Sequence, residues 1–158
     1  MSAVPDVDAA SLRERALAVL LAPPLAHMVA LVCWTDGADL LVADSQGRVA
    51  IGPDGATTVL QGRDPIADQD RFSDSTTAYP YAAERLRSAF ADPRAPDLVV
   101  VHTGAHMWRE RGGHPGEHGS LNGVQSRGPL VLSGAGVTDR GLLREVCRTI
   151  DEIGRAHV

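Results

Sequence analysis

Val29-Ala-Leu-Val-Cys-Trp34 is followed by Asp36-Gly37, Leu40-Leu-Val-Ala43, Ser45-Gln-Gly47, Arg48-Val-Ala-Ile51, Pro53-Asp-Gly55 and Thr57-Thr-Val-Leu60. The first run is almost wholly apolar, as expected of a strand covered on both faces. Asp-Gly is a hairpin signal, and each later Gly-containing break falls between short β-type runs. The stretch therefore reads as an antiparallel meander of four strands.

Working outward, Asp8 or Ser11 can cap a helix that places Leu12, Ala16, Val19 and Leu20 on one face, and Pro23-Pro24 stops it. Gln61 to Ala78 is polar, carries Asp64, Asp68, Asp70 and Asp74, and reads as a long surface loop. Tyr79 to Phe90 has helical spacing with Leu86 and Phe90 inward, and Asp92-Pro93 ends it. Asp97-Leu-Val-Val-Val-His102 is the strongest strand signal. Pro129-Leu-Val-Leu-Ser133 reads as a second buried strand, and Gly134-Ala-Gly136 leads into a last helix, Thr138 to about Ile150, through Leu142, Leu143 and Val146. The expected class is α/β, a mixed sheet with flanking helices. A His-rich loop would leave the carboxyl end of a central strand, where open α/β sheets put their ligands.

The 158 residues suffice for one domain with a core. A net charge of −5, with no basic stripe, argues against nucleic-acid binding. No apolar run approaches about 18 residues, so no membrane span is expected. The N-terminus lacks the pattern of a signal peptide, and Cys33 and Cys147 form no C-x-x-C pair. A reduced, cytoplasmic protein is the expectation. Every basic residue is Arg, which with abundant Ala, Gly and Val suggests a GC-rich, bacterial gene.

The chemistry-bearing residues concentrate between the two buried strands. His106, His114, Glu117 and His118 lie in a glycine-rich stretch too long for an ordinary connection. Imidazole and carboxylate are the usual ligands of zinc and similar divalent ions. His114 and His118 stand four apart, which on a helix would put both rings on one face. Pro115 and Gly116 argue against a helix, so spacing alone leaves solvated loop histidines as the alternative.

Context carries the reading further. A strand (residues 97–102) leads to a loop ending in His118-Gly119; Pro129 to Ser133 and the small-residue turn Gly134-Ala-Gly136-Val137 follow. This order resembles the late segment of the type I phosphodiesterases and nucleotide pyrophosphatases, within the alkaline phosphatase superfamily. The resemblance covers residues 79–137. It implies that His118 binds one of two catalytic metal ions, with zinc the expected metal and a small phosphoester the expected substrate. His114 is the second candidate ligand. Glu117 would orient a ring by hydrogen bonding, His102 and His106 would line the cleft or serve structure, and Ser120 reads as a turn or cap residue.

The departures are equally specific. The family's chemistry needs a Thr or Ser nucleophile and an Asp-His-Gly motif, and no Asp-His-Gly occurs here. Thr76-Thr77 lacks the flanks of a nucleophile turn and reads as an ordinary turn. Residues 1–151 are thus expected to be one partial alkaline-phosphatase-like α/β domain, inactive alone, whose nucleophile and other ligands come from the remainder of the catalytic domain. Within it, residues 1–78 supply the first helix, the meander and the loop, and 79–151 the strand, His-rich loop, strand and last helix.

After Asp151, Glu152-Ile-Gly-Arg-Ala-His-Val158 replaces the family's apolar continuation. Ile153 to Val158 is also one reading frame of a widely used sequencing-library adapter. Residues 152–158 are therefore expected to be an artefactual tail, and His157 carries no functional meaning. Two rivals remain. Gly116-Glu-His-Gly119 also occurs in the sulfatase branch, although there it follows Asp-His-Gly, where this chain reads His102-Thr-Gly-Ala-His106. A non-catalytic α/β binding module is the other.

Overall fold

The structure, a computed structural model, describes residues 8–67, 78–104, 120–126, 131 and 133–135. In chain order these form α1 (Ala9–Leu20), β1 (Val29–Asp36), β2 (Asp39–Ala43), β3 (Gly47–Ile51), β4 (Thr57–Gly62), α2 (Ala82–Phe90), β5 (Val99–His102) and the single turn α3 (Gly123–Ser126). The meander forms as its turn signals dictate, and β5 adds to its free side, giving the order β4-β3-β2-β1-β5.

Every described pairing is antiparallel, so the expected mixed sheet is corrected to an antiparallel one among the described strands. The cause lies in the connections. Three tight turns can join only antiparallel neighbours, and the chain then crosses through α2 and enters β5 antiparallel to β1. β5 is correspondingly at the end of the described order rather than at its centre.

Side chains alternate across this sheet with the period of two that strands impose. Leu31, Cys33, Leu40, Val42, Val49 and Ile51 face one side, where Ala82 and Leu86 of α2 cover them together with Ile66 and Leu121. Val32, Trp34, Leu41, Ala43 and Ala50 face the other, where Leu17 of α1 packs and Leu20 and Leu21 join at the margin. The α/β arrangement is thus three layers, α1 over the sheet over α2. A bulge between Val29 and Leu31 re-phases β1 against β5 and puts Val29 on the α1 side.

Asp8 caps α1, its carboxylate accepting from Ala10 N and Ser11 N at 3.4 and 3.0 Å. The buried face of α1 differs from the expected one. Leu17 is 3% exposed, while Leu12 and Val19 are 54% and 61% exposed. Two apolar stripes share Ala16 and Leu20 but differ by one position, about 100° around the helix. The first turns of α1 lie over polar partners. Arg13 Nη1 donates to the Thr35 carbonyl at 3.4 Å, and Glu14 meets Arg48, whose guanidinium sits 5.1 Å from the Trp34 ring centroid. Turning Leu12 inward would displace that bridge.

Three further expectations are modified. Gln61 and Gly62 belong to β4, and Ile66 is fully buried, so the polar loop starts later than its composition suggests. α2 begins at Ala82 rather than Tyr79, because Tyr81 takes a left-handed backbone (φ 52°) that ends the preceding turn. Val131 and Ser133, the described members of the expected second buried strand, are exposed and lie in no strand. The last helix and residues 152–158 lie outside the described residues. Among the described residues no helix is long and apolar enough to cross a membrane.

The choice of face in α1 is measurable. Leu17→Ala is expected to cost about 2–5 kcal/mol in chemical denaturation. Leu12→Ala and Val19→Ala should each stay within roughly 0.5 kcal/mol of the parent. A large loss at Leu12 with little at Leu17 would restore the stripe read from the sequence.

Candidate functional site

His114 and His118, with Glu117 and His106, lie outside the described residues, as do Thr76-Thr77 and Cys147. The structure describes the two points where the chain enters and leaves that His-rich stretch. At the entry, β5 ends in half-buried His102, whose Nδ1 lies 3.0 Å from the Thr103 carbonyl oxygen. Thr103 N donates to the Met28 carbonyl at 2.9 Å, which ties the strand end to the start of β1. His102 therefore serves the strand end among these contacts.

At the exit, Ser120 begins a docked segment. Leu121 is buried in the α2-side core, and Gly123 N donates to the Ala78 carbonyl at 2.7 Å. The segment is closed by its own polar side chains. Ser120 Oγ accepts from Asn122 N at 3.2 Å, Asn122 Oδ1 accepts from Val124 N at 2.8 Å, and Ser126 Oγ donates to the Asn122 carbonyl at 2.7 Å. Ser120 is thus a turn residue, as its sequence context suggested.

Arg85 of α2 holds this turn from the side. Its Nη1 lies 3.0 Å from the Leu121 carbonyl, 2.8 Å from Ser126 Oγ and 3.3 Å from the Pro80 carbonyl, and its Nη2 reaches the Ser120 carbonyl at 3.1 Å. A guanidinium offers five donors in a planar fork, so one side chain can satisfy several carbonyls that no strand partner meets. Partial burial draws its pKa below the usual guanidinium value. The group stays charged at neutral pH, and hydrogen bonds from a charged donor are worth about 1.5–3 kcal/mol each.

A second polar cluster sits where the β2–β3 turn meets the end of β4. Asp44 Oδ1 accepts from Gln46 N and Gly47 N at 2.7 and 2.8 Å, an Asx turn, and Oδ2 accepts from Arg63 Nη2 at 2.5 Å. Arg63 Nε donates to Gln46 Oε1 at 2.7 Å. The two backbones come so close that a Cβ on Gly47 would stand 1.8 Å from the Arg63 carbonyl oxygen, so only glycine fits there. Beside the cluster lies a cavity of about 250 Å³ lined by Asp44, Arg63, Asp64, Ile66 and Tyr79. Burial, then the Asp44 charge, pushes the Tyr79 phenol above its ordinary range, while Arg63 partly offsets this. Tyr79 is therefore a neutral phenol at neutral pH. Asp44 accepts at both oxygens, so the cluster reads as a knot that locks turn to strand end.

Cys33 is fully buried, and burial raises its thiol to about 12, which removes it as a nucleophile. Among the described residues no three His, Cys, Asp or Glu side chains come together in a way that could hold a metal ion. The donors expected from the sequence, His114, Glu117 and His118, lie outside the described residues. Sequence reasoning missed Arg85, whose only signal was a basic residue next to the buried Leu86. It also missed Asp44, although Asp-Ser-Gln-Gly is a readable Asx-turn pattern. No protein-family model, curated protein or solved structure matches the chain.

The knot reading separates its two charged members. Asp44→Ala strips the acceptor from two backbone donors, and its side chain is only 10% exposed, so a loss of about 1–3 kcal/mol is expected. Arg63 is 55% exposed, and Arg63→Ala should cost no more than about 1 kcal/mol. Urea denaturation checks the ranking, and an equal or reversed order would contradict it.

Proposed function

We propose that this chain carries the late metal-ligand segment of a metal-dependent phosphoester hydrolase of the alkaline phosphatase superfamily, nearest the type I phosphodiesterases and nucleotide pyrophosphatases. The observation that carries the reading is the order of parts: strand, His-rich loop closing in His118-Gly119, apolar stretch, small-residue turn. What the described structure adds is coarse: β5 before the His-rich stretch and the turn after it both belong to one α/β body.

The donor set fits a zinc-like ion, since neutral imidazole nitrogen and carboxylate oxygen are the ligands that ion takes. His118 would be the principal ligand and His114 the second, with Glu117 orienting a ring. Such ions, when bound, would supply charge stabilisation for displacement at phosphorus. His118 would contribute to such a site by offering one nitrogen lone pair of its neutral ring. The nucleophile and the remaining ligands belong to residues beyond these 158, because no Asp-His-Gly stands among them. The substrate class is a small phosphoester, and the partner is the rest of the catalytic domain.

Zinc titration monitored by histidine resonances tests this. Saturable shifts are expected at His118 and His114, abolished in His118→Ala. Equal, non-saturating shifts at all six histidines would remove the metal site and leave a plain α/β domain.

A further inference from the structure

We propose that the outer edge of β4 docks a second copy of this chain, strand to strand, about a two-fold axis. β4 stands at one end of the described strand order, and Thr58 to Gly62 are all exposed. Val59 and Leu60 leave 51% and 53% of their surface in water. Edge strands that must stay single are guarded by charge, proline or a bulge. Thr57-Thr-Val-Leu-Gln-Gly62 carries neither charge nor proline. Its one bulge skips Leu60, where the register moves from Val49↔Val59 to Arg48↔Gln61, so Thr57 to Val59 run in regular pairing.

The ladder says which backbone groups are free. Gly52 N donates to the Ala56 carbonyl at 2.9 Å, which makes these two a hydrogen-bonded pair. Opposed residues alternate between bonded and non-bonded pairs along an antiparallel ladder. With Ile51↔Thr57, Ala50↔Thr58 and Val49↔Val59 in register, Thr58 therefore turns its N–H and C=O toward β3. Thr57 and Val59 turn theirs outward. An antiparallel pairing of two β4 strands centred on Thr58 sets Thr57 of each copy opposite Val59 of the other. Every outward donor and acceptor of that segment is then matched, and both Val59 side chains gain cover on the α2 side of the sheet.

Charge favours a second copy as the occupant. β4 is preceded by Asp54 and followed by Arg63. Centring on Thr58 brings each Arg63 beside the Pro53-Asp54 turn of the other copy, while the segment between holds no charge to repel its own image. Arg63 remains 55% exposed beyond its contact with Asp44. The two-fold uses the β4 edge of both copies at once, so the assembly closes as a dimer.

Sedimentation of the full chain over a range of concentrations, with amide exchange followed in parallel, tests this. The expected result is a monomer–dimer equilibrium in which the Thr57 and Val59 amides slow as concentration rises, while the Thr58 amide does not change. Val59→Pro removes an outward donor without touching the β3 ladder and should weaken association at least about tenfold. Asp54→Asn keeps an oxygen to accept from Ala56 N, as Asp54 Oδ1 does at 3.0 Å, and should weaken association severalfold through lost charge. Val124→Lys, at an apolar side chain 81% exposed on α3, should leave association unchanged. A monomer at every concentration overturns the proposal, as does a dimer that survives Val59→Pro. Oligomers that grow beyond the dimer also overturn it, because a closed two-fold leaves no free β4. If Val59→Pro does not fold, Val59→Lys decides, since it keeps every backbone donor of β3 and β4 and places a charge on the edge. An unchanged dimer in that variant overturns the proposal too.

Discussion

The β1 strand must hide side chains from water on both of its faces, because Leu31 and Cys33 point to one side and Val32 and Trp34 to the other. All four are at most 1% exposed. A strand of this kind needs a neighbour on each edge and a layer on each face. β2 and β5 supply the edges, α1 and α2 the faces. At about 1.5–3 kcal/mol for each large apolar side chain taken out of water, β1 with its immediate cover supplies much of the hydrophobic stabilisation. β4 is the contrast: five of its six residues are exposed, with Val59 and Leu60 among them. Its place is held by backbone pairing to β3 and by the Asp44–Arg63 knot at its end.

That two-sided demand also organises the ends of the His-rich stretch. β5 is recruited to cover the free edge of β1, which delivers His102 and Thr103 to a fixed position beside Met28. α2 is recruited to cover the face carrying Leu31 and Cys33, which brings Arg85 beside the turn at Ser120–Ser126. Leu121 completes the same core. The packing that satisfies β1 thus creates two anchor points, one before residue 105 and one after residue 119.

How far the sequence disclosed this depends on the kind of signal. The meander was legible because its turn residues and apolar runs are local, and three successive turn signals leave only antiparallel pairing. The helix over Ala9–Leu20 was legible from Asp8 and Pro23, but its buried face was not. Leu12 and Leu17 both continue an apolar stripe through Ala16 and Leu20, and the choice is made by Arg13, Glu14 and Arg48 around Trp34, contacts that no local pattern reveals. The neighbour of β5 was likewise hidden, since it depends on where α2 crosses. Arg85 went unnoticed because its partners are carbonyls 35 and 36 residues away. His118 was noticed for the opposite reason, a short motif with a local spacing, and its geometry lies outside the described residues.

The central claim is that one body, built around β1, holds the His-rich stretch at both ends. Native-state hydrogen exchange at two amides tests it most directly: Thr103 N, bonded to Met28 O, and Gly123 N, bonded to Ala78 O. Amides that belong to the cooperative core exchange only through large-scale opening, whereas fraying segments exchange at little free-energy cost. The account expects both amides to be protected to nearly the same free energy as Val32 in β1. Gly123 exchanging like an unprotected amide while Val32 stays protected would mean that the turn is not part of the body, and the two-anchor account would fail.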